Sequence, residues 1–205
     1  MDLANLTGLV DLWLYFNDIT SITPLAGLTN LTELHLGHNH IADITPLAGM
    51  IHLETLGLRA NQINDIAPLA GLTALTWLDL LSNQIVDITP LSGLGNLITL
   101  NLQSNQINDM TALAGLVALQ ELNLSYNALS NITPLSSLVN LKQLYLGNNI
   151  ITTITPVSGL IGLTKLDLGD HVETPLGWNN EINDITALSG LTNLTWLNIN
   201  CNQVS

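Results

Sequence analysis

The sequence predicts an α/β solenoid, a stack of short coils that each supply one strand to a parallel β-sheet and return through a leg too short for a full α-helix. Three observations predict it. Asparagine recurs at 17, 39, 61, 83, 105, 127 and 149 in steps of 22, and again at 180 and 202. An apolar frame of leucine and isoleucine repeats around each asparagine. Six of the seven prolines (24, 46, 68, 90, 134 and 156) hold one slot of the same period. A unit of this length cannot bury its apolar side alone, but stacked units share a continuous core.

Each coil reads in order. In the second, Leu34-His35-Leu36 alternates with the two-residue period of a short strand, whose side chains point to opposite faces. Asn39 follows where the chain must turn, and a buried carboxamide there can bond backbone groups that the turn exposes. The return leg begins at Asp43-Ile44-Thr45-Pro46-Leu47. Thr45 before Pro46 has the order of an N-cap followed by a residue well tolerated at a first helical position. The leg has room for a 3₁₀ turn and little more. The step from Asn149 to Asn180 is 31, so nine residues are inserted, near 171–179.

Composition narrows the function. The chain has 205 residues, 47% of them hydrophobic and 9% charged, and no Gly/Ser linker or charge block divides it, so 1–205 reads as a single domain. Polar residues recur every few positions and interrupt any stretch long enough to span a membrane. Three basic residues against sixteen acidic ones leave a net charge of −13. Phosphate backbones and anionic lipid would be repelled, which argues against nucleic acid or membrane insertion. One cysteine, Cys201, cannot build an internal disulfide framework.

The pattern LxxLxLxxNxIxDIxPLxxL resembles the leucine-rich repeat, in the 22-residue form of bacterial internalin-like proteins, over essentially all of the chain outside the insertion. The resemblance implies a right-handed curved solenoid with the sheet on its concave face. It also implies a protein ligand on that face and a bacterial cell-surface or secreted location. The family's helical cap and trailing immunoglobulin-like domain have no counterpart in the sequence, and no secretion signal is seen. The chain opens half-way through a repeat and stops soon after Asn202, as a fragment would. Uncapped terminal repeats of this kind predict exposed apolar edges and end-to-end self-association.

Departures from the frame point to a surface. None of the eight aromatic residues takes a frame slot. Trp13, Tyr15, Phe16, Trp77, Tyr126, Tyr145 and Trp196 lie in strand segments or just after them, and Trp178 lies in the insertion. The three basic residues, Arg59, Lys142 and Lys165, are also in strand segments. Aromatic and arginine side chains are the types enriched at interface hot spots. Outward positions between and just after the paired leucines add His35, Asp79, Asn101, Gln103, Asn123 and Asp167. The insertion leaves after the eighth strand at the rim of the same face, carrying Asp170, His171, Glu173 and Trp178. The resulting expectation is a non-catalytic module that binds a protein through the concave face and the 171–179 loop. A glycan-binding adhesion module or a purely structural spacer are the alternatives.

Catalytic and metal chemistry find little support. His35, His38 and His40 are close in sequence but point in different directions, so a metal site with converging ligands is not expected. Asp43, Asp65, Asp87, Asp109 and Asp184 share one slot four residues after the asparagine. Cation binding by that ladder is conceivable, but backbone capping explains it better. Cys201 could meet His171, yet nothing supplies a third group for nucleophilic catalysis. No cofactor is expected.

Overall fold

A computed structural model describes residues 3–169 and 179–205 of the chain. Nine three-residue strands form one sheet. They are β1 (Asp11–Trp13), β2 (Glu33–His35), β3 (Thr55–Gly57), β4 (Trp77–Asp79), β5 (Thr99–Asn101), β6 (Glu121–Asn123), β7 (Gln143–Tyr145), β8 (Lys165–Asp167) and β9 (Trp196–Asn198). The sheet order is the chain order and all pairs are parallel. Equivalent residues pair, Leu34 with Leu56 and Leu78 with Leu100, so the register is the repeat itself. Parallel strands joined through a crossover wind right-handedly, and the stack is a curved solenoid with the sheet on its concave side.

Return legs carry 3₁₀ turns such as Thr45–Leu47, Thr89–Gly93 and Thr155–Val157. The expected threonine cap is not what starts them. Ile44 holds the cap position without a side-chain bond, and Thr45 is already the first turn residue. The carboxylate of Asp43 instead accepts the Thr45 N–H at 2.8 Å. Asp65, Asp87, Asp109 and Asp184 do the same at 2.8 Å, and Asn131 at 3.0 Å. The aspartate column is therefore engaged in backbone capping, as an Asx turn requires.

Frame leucines and isoleucines of the interior coils form one core. In the second coil Leu31, Leu34, Leu36, Ile41, Ile44, Leu47 and Met50 are all buried. Burying such a side chain contributes roughly 1.5–3 kcal/mol relative to leaving it in water. In the ninth coil the frame residue Leu197, opposite Leu166, is 43% exposed.

The asparagines stitch each coil to the one before it. Asn127 Oδ1 accepts the Ile107 N–H at 2.9 Å, while its Nδ2 donates to Leu102 O at 3.0 Å and to Leu124 O at 3.1 Å. The same set recurs from Asn39 to Asn202. Asn17, in the first coil, bonds only carbonyls of its own coil, Leu14 and Tyr15. Across the insertion the ladder is unbroken, because Asn180 accepts the Ile151 N–H at 2.9 Å and donates to Leu146 O and Leu168 O at 3.0 Å. A second, partial column was not read from the sequence. Asn30, Asn96, Asn140 and Asn193 each donate to a carbonyl of the previous coil at 2.8–2.9 Å. Its signal was present, since these four positions also recur in the 22-residue register once the insertion is allowed for.

Eight of the turns carry a strained residue just before the asparagine. Phe16, His38, Ala60, Ser82, Ser104, Tyr126, Asn148 and Cys201 have φ between 51° and 59°. A left-handed conformation costs a non-glycine residue about 1–2 kcal/mol. The asparagine's bonds, which fix the turn from inside, offset that cost.

Candidate recognition surface

Six residues singled out from the sequence, Trp13, Tyr15, Phe16, His35, His38 and Trp77, meet at the N-terminal end of the concave sheet, joined by Glu33, which was not. The centre is His35 on β2. Its Nδ1 lies 2.6 Å from the Tyr15 hydroxyl and its Nε2 lies 2.7 Å from Glu33 Oε1. A neutral ring satisfies both, accepting from the phenol and donating to the carboxylate. Trp13, Tyr15 and Trp77 surround the imidazole at centroid distances of 4.9, 5.1 and 5.9 Å. Phe16 stacks on His38 at 4.2 Å with the rings 11° apart. Trp13 and Phe16 keep 64% and 75% of their surface in solvent, which makes them the free part of the cluster.

Two glycines make room for it. A β-carbon on Gly57 would stand 2.6 Å from His35 Nδ1, and one on Gly37 would stand 2.7 Å from Tyr15 Cε1 and 2.8 Å from Arg59 Cγ. Neither glycine stands at a repeat corner. Both hold outward strand slots one coil further on from the aromatic ring that covers them, as the pairing of His35 with Gly57 shows. That offset of 22 from Tyr15 to Gly37, and from His35 to Gly57, is the sequence signal for the recess.

His35, Asp79 and Asp167 differ from the expectation of open, outward-pointing residues. They face the concave side but are 7%, 6% and 3% exposed. The aromatic rings packed around His35 account for its burial. Asp79 and Asp167 are turned back onto the chain to accept the N–H of Leu81 at 3.0 Å and of Gly169 at 3.2 Å. Asn101, Asn123 and Asn198 fill the same slot and do the same for Gln103, Ser125 and Asn200. Burial pushes the Asp79 carboxyl above the usual aspartate range, against the Leu81 N–H and the nearby Arg59, His35 and His38. Burial likewise raises the Tyr15 phenol, helped by Asp79 and Glu33 and opposed by Arg59. Among the described residues, the Nε of Arg59 and the Nε2 of His38 are buried without a hydrogen-bond partner.

A second group sits at the other end of the sheet. Lys165 Nζ lies 5.0 Å from the Tyr145 ring centroid and 4.7 Å from that of Trp196, within cation–π range of both. The Tyr145 hydroxyl donates to Gln143 Oε1 at 2.8 Å, and Asn198 Nδ2 donates to Asp167 Oδ1 at 2.9 Å. Between the two groups, β5 and β6 present carboxamides, with Asn123 Nδ2 donating to Gln103 Oε1 at 3.0 Å. Tyr126 stands apart, half-buried at the turn after β6. Asp170, His171, Glu173 and Trp178 lie outside the described residues.

Among the described residues, no group of three or more His, Cys, Asp or Glu side chains is placed to hold a metal ion. No helix among them is long and apolar enough to cross a membrane.

A nine-stranded parallel solenoid with an asparagine ladder, displaying aromatic side chains on its inner face, defines a repeat protein of the recognition type. Family models for leucine-rich repeats match residues 7–49, 51–93, 86–129 and 117–159. Internalin C2 of Listeria monocytogenes superposes with a TM-score of 0.87 at 36% identity, over 97% of this chain and 83% of that one. Internalin F of the same organism is 31% identical over 98% of this chain and 69% of its own, with a TM-score of 0.55. The ectodomain of the Arabidopsis receptor kinase HAESA, solved with an IDA peptide hormone ligand, shares the fold at 22% identity and a TM-score of 0.82, over 98% of this chain and 35% of that one. A search of curated sequences returns no match. The chain belongs to the leucine-rich repeat family, in its internalin-like bacterial class.

Proposed function

We propose that this chain is a non-catalytic recognition module that binds a protein partner through its concave face, with the 171–179 loop contributing at the rim. The observation that carries this reading is the pair of exposed aromatics, Trp13 and Phe16, held over a hydrogen-bonded base of buried His35 with half-buried Tyr15 and Glu33. Large apolar side chains kept in water on a pre-ordered support lose little conformational freedom on binding, which is what makes a hot spot. Trp196, 41% exposed beside Lys165, would be the second anchor. Eight strand steps of about 4.8 Å separate β1 from β9, so the two anchors span roughly 40 Å along the sheet.

The neighbours support a binding role without naming the ligand. Internalin-like relatives make a bacterial surface or secreted location the natural setting for such a module. Alanine at Trp13, Phe16 and Trp196, each in the full chain, is expected to weaken capture of the natural partner by tenfold or more. Substitutions on the return legs, such as Thr152→Ala, are expected to change nothing. Raising salt is expected to weaken a protein partner steered by an acidic surface and to leave a neutral glycan unaffected. Equal affinity for all three aromatic variants would overturn the concave-face reading.

A further inference from the structure

We infer that the concave face takes a lysine ammonium group of its partner at Glu33, Thr55 and Trp77. The inference rests on the recognition role proposed for that face and names one kind of group it receives.

The sheet carries one arrangement twice, five coils apart. At the C-terminal end the Tyr145 hydroxyl donates to Gln143 Oε1 on its own strand at 2.8 Å. Lys165, on the next strand, lies within cation–π range of Tyr145 and Trp196. Five coils earlier, with the insertion passed over, the slots of Tyr145, Gln143, Lys165 and Trp196 hold His35, Glu33, Thr55 and Trp77. There His35 Nε2 donates to Glu33 Oε1 at 2.7 Å, and Thr55 pairs with Trp77 as Lys165 pairs with Trp196. Two exchanges matter. The carboxylate of Glu33 replaces the Gln143 carboxamide, and Thr55 replaces the lysine.

The N-terminal copy thus keeps the acceptor and the indole, gains a negative charge and has no cation of its own between them. Beside the short Thr55 side chain, Trp77 leans on His35 at 5.9 Å between centroids and is half-buried. Among the described residues His35 is the one hydrogen-bond partner of Glu33, whose side chain keeps 34% of its surface in solvent. An ammonium group entering above Thr55 can therefore bond the second carboxylate oxygen and lie over the Trp77 ring. A carboxylate and an indole face both select a cation over a neutral group.

The surrounding charge has the right sign. Asp11 on β1 and Glu54 just before β3 are exposed on either side of Glu33. Arg59 is the one lysine or arginine in the first five coils, four residues beyond Thr55. Its Cγ lies over Gly37, and its charge bears on Asp79 and Tyr15. The net charge of −13 draws a cation toward the whole chain.

The test titrates the full chain with N-acetyl-lysine methylamide and with its uncharged isostere, in which a methyl group replaces the ammonium. Nuclear magnetic resonance of the tryptophan indole N–H groups follows binding. The lysine probe is expected to shift the Trp77 signal saturably at millimolar concentration, and the isostere to bind about fivefold more weakly. Trp196, already beside Lys165, should not respond. Added salt should weaken the lysine probe alone. Glu33→Gln keeps an acceptor for His35, as Gln143 does for Tyr145, and should bring the lysine probe down to the affinity of the isostere. Thr55→Lys puts in coil three the residue that coil eight holds, and should abolish probe binding. Equal affinity for both probes, full affinity in either variant, or no saturable Trp77 shift up to about 100 mM would overturn the inference. The alanine variants at Trp13, Phe16 and Trp196 read partner capture without the probe, so the ammonium site and the concave-face reading fail separately.

Discussion

The His35 imidazole lies where the side chain of Gly57 would otherwise be, with Nδ1 2.6 Å from the position of an added β-carbon. One strand's missing side chain thus holds the neighbouring strand's ring in place. Gly57→Ala must push that ring aside, and with it the Tyr15 and Glu33 bonds. Overpacking of this kind costs about 1–3 kcal/mol. Tryptophan fluorescence should shift as Trp13 and Trp77 lose their packing partner, and partner binding should fall, while far-ultraviolet circular dichroism stays unchanged. Wild-type fluorescence and stability in this variant would show that the recess is not needed.

Position in the asparagine ladder sets the cost of losing a rung. Asn127→Ala leaves the buried Ile107 N–H without a partner, which costs about 1–3 kcal/mol, and takes from Leu102 O and Leu124 O one of the two carboxamide donors that each accepts. Asn17 is exposed and bonds only its own coil, so Asn17→Ala should cost less than about 1 kcal/mol. Urea midpoints of the two variants, at unchanged slope, would measure the difference. Equal losses would contradict the coil-to-coil role of the ladder.

Acid should destabilise the fold through its capping column. Hydrogen bonds hold the carboxyls of Asp43, Asp87, Asp109 and Asp184 below the usual aspartate range. The threonine hydroxyl contributes most for Asp43 and Asp109, the backbone N–H for Asp87 and Asp184. Groups lowered in the folded state add stability above their unfolded value, about 3.9, and lose it as pH falls through the folded one. Asparagine at all four should flatten the decline in urea midpoint below pH 4.

Asp79 has the opposite sign. Its raised carboxyl favours the folded chain at acid pH, and that contribution is lost as pH rises through the folded value. Asp79→Asn should therefore be neutral or stabilising at pH 7, since asparagine already accepts the equivalent N–H at Asn101 and Asn123. A loss of stability at pH 7 would show that pairing with Arg59 outweighs burial.

Removing residues 171–179 restores the 22-residue period from Asp170 to Asn180. Asn180 already bonds the Leu146 and Leu168 carbonyls, so the ladder should survive the deletion. Loop closure varies slowly with length, so stability should hold or improve slightly. Binding is expected to fall, with Trp178→Ala reproducing much of the loss. Full affinity in a well-folded deletion would mark the insertion as a tolerated interruption.

Much of this fold was legible because the repeat states each rule many times. Leu34, Asn39 and Ile44 have the same neighbours as Leu78, Asn83 and Ile88, so one coil explains the others. Threonine capping failed because the decisive bond comes from Asp43, two residues earlier, in the column whose turn-capping preference the sequence did show. Site residues were legible as types but not as exposures. His35 and Asp79 hold outward slots, yet what covers them comes from neighbouring coils and from their own turns. Burial on the concave face depends on which side chain leans on which, and Gly37 and Gly57 decide that.

Because each rung of the ladder ties a coil only to the one before it, the molecule also has a mechanical grain. Pulled from its two termini, it would not give way as a block but unzip coil by coil. Each event would release 22 residues, about 75 Å of contour at roughly 3.4 Å per residue. The step that frees the interval between Asn149 and Asn180 would be longer, near 105 Å for its 31 residues at the same spacing. A trace of force against extension would then spell out the periodicity of the sequence, with one long interval marking the insertion.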